Sequence, residues 1–279
     1  YYTGAVSESV IFSNNSGFLN ESINLSLSGN SSGQVIRYTT DASIPTETDL
    51  VYSSPIQVVE NTTIRARIFQ TNYLPSTIFS KSYIFDDIPE IDTVFLTTDP
   101  ENLFDEESGI YVFGEAGTYD TWVPYFGANF WEDWERPVHI SFYDSETNEI
   151  QSEFDGGLKI FGGWSRGQNA QRSLALFARG QYGYSKFEES FFEELSYDDF
   201  QSLVLRNSGQ DWIRSSIKDV TLTSLMRGSG LDFQEHNAVS TYINGEYWGL
   251  YNMREKTNEH MLASKYNIDA EEITILPGG

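Results

Sequence analysis

The stretch D-G-G-L-K-I-F-G-G-W-S-R-G-Q-N-A-Q-R-S-L-A-L-F-A-R-G-Q-Y-G, residues 155–183, decides how this chain is read. Residues 157–161 and 173–178 are short apolar runs, and the second alternates well enough to pass as a strand. Between them lies a loop of small, polar and cationic residues. Gly162, Gly163 and Gly167 let the backbone approach a ligand closely or take positive φ. Arg166 and Arg172 supply permanently charged forks suited to phosphate or carboxylate. The spacing G-x-x-x-x-G-K-[ST] is absent, so this is no ordinary P-loop. Strand, cationic loop, strand is the expected core. Residue types alone leave a plainer reading open, a glycine-rich hairpin whose arginines pair with surface acids.

Those cations are out of keeping with the rest of the chain. Forty-one acids against seventeen bases give a net charge of −24 over 279 residues, and the sequence pI is near 4.3. Such a balance argues against nucleic acid or an anionic membrane as a general partner, since either needs a cationic face. With 39% hydrophobic and 15% aromatic residues there is material for real cores, and the length allows two domains. Cysteine is absent, which excludes disulfides and thiolate metal sites. No apolar run is long enough to span a membrane. The chain opens on Tyr1 without a charged-then-apolar leader, as expected of a processed product; the composition is compatible with an exported bacterial protein.

Upstream, residues 22–28, 35–40, 55–59, 63–69 and 79–85 are short β-type runs separated by turn-rich segments such as G-N-S-S-G at 29–33. This punctuation predicts a small β-sandwich over residues 1–86. Asp41, Glu47 and Asp49 fall in its turns and are read as solvated charges rather than a metal site. A short acidic, proline-bearing linker, 87–91, follows.

From residue 92 onward, 93–98 and 137–143 read as strands. Asp99, Glu101, Asp105 and Glu107 lie between them, but their spacing matches no EF-hand loop. The loop at 122–137 holds Trp122, Trp131 and Trp134, read as an aromatic plug over a sheet edge or, alternatively, as a stacking surface for sugar or peptide. His139, His236 and His260 share no ligand spacing. A strand at 202–206 precedes residues 211–227, where Ile213, Ile217, Val220, Leu222, Leu225 and Met226 recur at helical steps, predicting one amphipathic helix. Asn244-Gly245 marks a hairpin, and a further helix is expected to open near Thr257.

Three blocks in this region carry a resemblance: G-G-W-S-R with Q-R-S-L-A-L-F-A-R and Y-G, then L-R-N-S-G-Q-D-W-I-R-S-S-I-K-D, then Y-I-N-G-E-Y-W-G-L-Y-N-M-R-E-K. Their order over residues 92–279 resembles the CotH (spore coat protein H) family of atypical kinases. The earlier runs I-R-Y-T-T-D-A-S-I-P-T and T-I-R-A-R-I-F resemble the immunoglobulin-like domain often attached to chitobiases, usually a spacer. The resemblance implies an N-terminal all-β immunoglobulin-like sandwich followed by an α+β atypical-kinase-like small lobe, the amino-terminal portion of a kinase-like domain. It implies ATP with Mg2+ in the intact parent and transfer of phosphate to Ser/Thr of a protein. Arg172 stands where family members usually carry lysine in Q-K-S and would face nucleotide phosphate. Asp211 or Asp219 would be the acid pairing with Arg172, and Glu255 of R-E-K would sit at the hinge. The acidic residues that hold magnesium come late in the family, after the point where this chain ends in I-T-I-L-P-G-G. The resemblance therefore implies a longer exported protein, at the cell surface or extracellular, whose present portion is inactive and holds no cofactor tightly. The alternative is a non-catalytic surface adhesion or glycan-binding protein on the same scaffold.

Overall fold

In a computed structural model, residues 2–114 and 119–276 are described; the readings made from Tyr1 and from the terminal 277–279 lie outside them. The chain divides into two compact units. Unit 1 comprises residues 1–101, 139–153 and 242–247, and unit 2 comprises 102–138, 154–241 and 248–279.

The N-terminal region is β throughout, consistent with an immunoglobulin-like module. Its main sheet contains β1 (Gly17–Phe18), β2 (Gln34–Thr39), β3 (Leu50–Val51), β4 (Thr62–Gln70) and β5 (Phe79–Ile84), ordered β1-β5-β4-β2-β3. Strand β4 reads T-T-I-R-A-R-I-F-Q, with Ile64, Ala66 and Ile68 fully buried on one face, as the two-residue side-chain period requires. They pack with Leu25, Ile36, Val58 and Tyr83 into the module's core. Pairing is antiparallel except between β1 and β5, which run parallel.

The second region is a closed barrel of seven strands: β6 (Thr93–Thr97), β7 (Arg136–Asp144), β8 (Glu149–Phe161), β9 (Ser173–Phe177), β10 (Ser202–Arg206), β11 (His236–Ile243) and β12 (Glu246–Glu255), in the order β6-β7-β8-β9-β10-β12-β11. The expected core hairpin is present, with β8 and β9 pairing Gly157 with Phe177 through Phe161 with Ser173. Strand β9 is buried along its whole length, which explains its near-continuous apolar run, while β12 is buried only over its second half, 251–255. Closure removes exposed edges. The β11–β12 turn is the expected Asn244-Gly245, both at positive φ, 53° and 87°, as a type I′ turn demands.

The expected long helix over 211–227 is not formed. Only α3 (Lys218–Ser224) is α-helical there; the others are α1 (Pro100–Phe104), α2 (Ser165–Gln168) and α4 (Glu259–Tyr266). Serine chemistry interrupts the periodic pattern. Ser216 takes φ 57°, its carbonyl accepts from Ser208 Oγ at 2.6 Å, and Asp211 Oδ2 accepts from Ser215 Oγ and the Lys218 amide at 2.6 and 3.0 Å. Such side-chain bonds offer the backbone an alternative to the helix ladder. The apolar face that a helix would have buried is exposed at Ile213 (77%) and Leu225 (72%), and Val220 alone of the expected set is buried. An α+β lobe is therefore less apt a description than a β-barrel with short helical insertions.

Candidate functional site

Arg172 lies at the mouth of β9 with 8% of its surface exposed. Its guanidinium is stacked between two rings, 4.7 Å from the Tyr111 centroid and 4.2 Å from that of Phe130. The quadrupoles of both faces favour the cation. Burial pulls its pKa down and Tyr111 works against that, so the charge is held in a poorly solvated place. Its Nη1 is 3.5 Å from the Ala170 carbonyl, and its buried Nε has no hydrogen-bond partner. A buried guanidinium with an unmet donor is an unusual thing to keep without a ligand or partner.

The backbone around Arg172 is fixed by the three sequence blocks, which converge on it. Arg172 N donates to Tyr111 Oη at 2.7 Å, and Tyr251 Oη donates to the Arg172 carbonyl at 2.8 Å. Trp248 Nε1 reaches Tyr111 Oη at 3.2 Å. Gln171 donates to Leu250 O at 2.9 Å and accepts from Trp212 Nε1 at 2.6 Å. Gly249, at φ 138°, leaves room for that Gln171 side chain, since a Cβ there would stand 2.7 Å from its Nε2. Ser173 and Asn207 exchange two hydrogen bonds, at 2.8 and 3.0 Å, and Asn207 Nδ2 also donates to Gln171 O. The W-G-L-Y and R-N-S-G-Q-D-W blocks are thus the scaffold of the Q-R-S loop.

Arg166, on α2, is spent differently. Its Nε donates to Gly162 O at 2.6 Å and its Nη1 lies 3.3 Å from Phe130 O, while the guanidinium stacks 5.2 Å from Trp131. Gly167 is pressed against the same loop, where a Cβ would fall 1.9 Å from Pro124 O. Cationic loop and aromatic loop are therefore each other's partners, and each was read separately in the sequence. Trp131 donates to Pro124 O at 2.9 Å and packs on Phe126; Trp134 is covered by Arg136 at 5.1 Å. Trp122 alone of the three tryptophans stands open, 70% exposed.

Neither helix acid meets Arg172. Asp211 is half-buried and its Oδ2 accepts from the Lys218 amide, the first of α3, and from Ser215 Oγ. Asp219 Oδ2 accepts from Arg206 Nε at 2.6 Å and from Arg254 Nη2 at 2.9 Å; burial pushes its pKa up, and the two arginines more than reverse that. The expected acid pair thus exists on α3 but joins other arginines, because breaking the helix at Ser216 places α3 beside β10 and β12. Glu255, last in β12, is 2% exposed, accepts from the Tyr197 hydroxyl and from the Glu235 amide, and burial raises its pKa. Tyr111 and Phe130, the rings that hold Arg172, were missed from the sequence: each sits in a loop whose local pattern signals only turn or plug.

The other expectations resolve locally. Asp99 and Asp105 accept from nearby backbone amides within turns, and Asp41 and Asp49 do the same in the module. Among the described residues no group of three or more His, Asp or Glu side chains is placed to hold a metal ion. No helix among them is long and apolar enough to cross a membrane.

Comparison with known families agrees with the blocks. No curated protein matches the chain. Residues 14–80 match the chitobiase/beta-hexosaminidase C-terminal domain, and residues 158–277 match the CotH kinase protein family. Arg166, Arg172, Asp211, Asp219 and Glu255 all fall inside the second match, which also contains the three converging blocks.

Proposed function

We propose that unit 2 is the phosphate-binding lobe of a CotH-like, kinase-related exported protein, with Arg172 as the cation that meets a nucleotide phosphate. The carrying observation is the buried Arg172 guanidinium with its unmet Nε. An anion delivered to that fork would supply the missing acceptor, and arginine is the side chain whose geometry suits phosphate. ATP therefore fits at its phosphate end. Magnesium does not fit on the described residues, which offer no carboxylate cluster. Phosphoryl transfer depends on metal ions that neutralise developing charge and on a residue that orients the acceptor hydroxyl. On this reading transfer to a protein Ser/Thr hydroxyl needs acidic residues other than those described, and these residues bind rather than catalyse. The exported, cell-surface or extracellular setting is part of the proposal and is carried over from the sequence resemblance alone.

Calorimetric titration of ATP with and without Mg2+ tests it. Wild type is expected to bind, Arg172→Ala to lose affinity by about tenfold or more, the loss of one charge-assisted contact, and Arg172→Lys to retain part of it. Equal affinity in Arg172→Ala and wild type overturns the assignment. The glycan-binding alternative has one observation in its favour, the open Trp122 ring; it predicts sugar binding that Trp122→Ala removes.

A further inference from the structure

A second site lies on the module, in unit 1, and goes beyond the phosphate reading. Val35 pairs with Phe69, and Arg37 with Arg67, on neighbouring strands β2 and β4. The intervening residues Ile36 and Ile68 are core, so by the alternation of strands the two pairs share the opposite, outward face. That face opens as a cleft of about 560 Å3, floored by Val35 and Phe69 and flanked by Arg37, Glu47, Gln70 and Tyr2. The volume lies within the ~300–1,000 Å3 usual for small-molecule sites.

Its polar groups are held in place by the backbone. Arg37 Nη1 donates to Asp49 O at 2.5 Å; Arg67 donates through Nε and Nη2 to Ser76 O at 3.1 and 2.9 Å and lies 5.6 Å from the Phe69 centroid. In a chain of net charge −24, Arg37 and Arg67 make no ion pair among the described residues. Gln70 Oε1 accepts from Gln34 Nε2 at 3.0 Å. The Tyr2 wall is anchored next door, where the Thr3 amide and hydroxyl both donate to Asn72 O, at 2.7 and 3.0 Å.

We infer that this cleft binds a neutral glycan, one sugar ring laid on Phe69 and Val35 with its hydroxyls held by Arg37, Glu47 and Gln70. An aromatic floor takes the apolar C–H face of a ring. A donor-only guanidinium, an acceptor-only carboxylate and an amide together match hydroxyl groups that both donate and accept. One Arg and one Glu leave the lining without net charge, and the acidic chain as a whole repels polyanions. The cleft lies on a sheet face rather than an edge, which does not suit strand addition by a peptide.

The test is titration of the full chain with neutral tetrasaccharides of differing linkage, cellotetraose among them, and with tetragalacturonic acid. At least one neutral probe is expected to bind, with Phe69→Ala weakening it about tenfold, roughly the worth of one aromatic contact, and Arg37→Gln weakening it several-fold. Val35→Asp, at a surface position outside the core, should abolish binding with the fold intact by circular dichroism. Trp122→Ala should leave it unchanged, and ATP titration of the same variants should match wild type, which separates this site from Arg172. Failure of every neutral probe, preference for the uronate, or binding that survives both Phe69→Ala and Val35→Asp overturns the inference.

Discussion

Glu153 accepts from Ser141 Oγ at 2.9 Å, pairs with Lys81 at 2.5 Å and lies 3.6 Å from His139 Nε2, all within unit 1. Burial pushes its carboxyl up, but His139 and Lys81 outweigh that and hold it at about 2, against an ordinary 4.5. A carboxylate with a depressed folded-state pKa contributes stability that is complete above its unfolded pKa and is lost as pH falls. The window runs from 4.5 down to about 2, and the span corresponds to about 3 kcal/mol. Glu153→Gln should therefore flatten the acid limb of unit 1, and urea unfolding at pH 7 and pH 3 reads it: wild type loses stability between them and the variant loses much less. At this scale sequence identified kinds of chemistry well. It marked Arg166 and Arg172 as forks, which they are, but their partners are carbonyls and rings brought from residues 111, 130 and 131. Local pattern holds no record of such neighbours.

The segment 211–227 is the clearest case at the scale of elements. Its apolar periodicity reads as a helix, and intrinsic propensity agrees at many positions, yet Ser208, Asp211, Ser215 and Ser216 take its backbone into turns. Since Ile213 and Leu225 point to solvent, the double variant Ile213→Ser, Leu225→Ser should shift the unfolding free energy by less than about 0.5 kcal/mol, as surface changes do. A loss of several kcal/mol in denaturant melts would show that those side chains are covered. The barrel strands behaved differently. Their runs of Val, Ile, Leu, Phe and Tyr are buried on pairing with neighbours on both sides, so propensity, pattern and burial all agree. Strands β6, β7, β9 and β10 were legible for that reason, as was the Asn244-Gly245 turn, whose positive φ values few other residue pairs tolerate.

At the scale of the whole molecule, unit 1 runs beyond residue 86: it takes in 87–101, 139–153 and 242–247 as well. Phe18 of β1 lies 5.6 Å from Phe95, 5.1 Å from Tyr143 and 5.7 Å from Tyr242, ring centre to ring centre, around buried Ile84. Edge-on aromatic packing of this kind contributes beyond its area. Phe18→Ala should cost about 3 kcal/mol and should lower hydrogen-exchange protection at Thr93–Thr97 along with that of the module's own strands. Protection lost in the module only would mean that the two sets of strands open independently. Sequence by itself determined the β-rich character of both regions, the anionic surface, the absence of disulfides, the hairpin turn and the family blocks, because each depends on composition or on contacts a few residues apart. Barrel closure, the pairing of Asp219 with Arg206 and Arg254, the aromatic housing of Arg172 and the module's cleft were decided only by tertiary structure. These join residues from 13 to well over a hundred positions apart, and the burial that sets their energies exists only once the chain has brought them together.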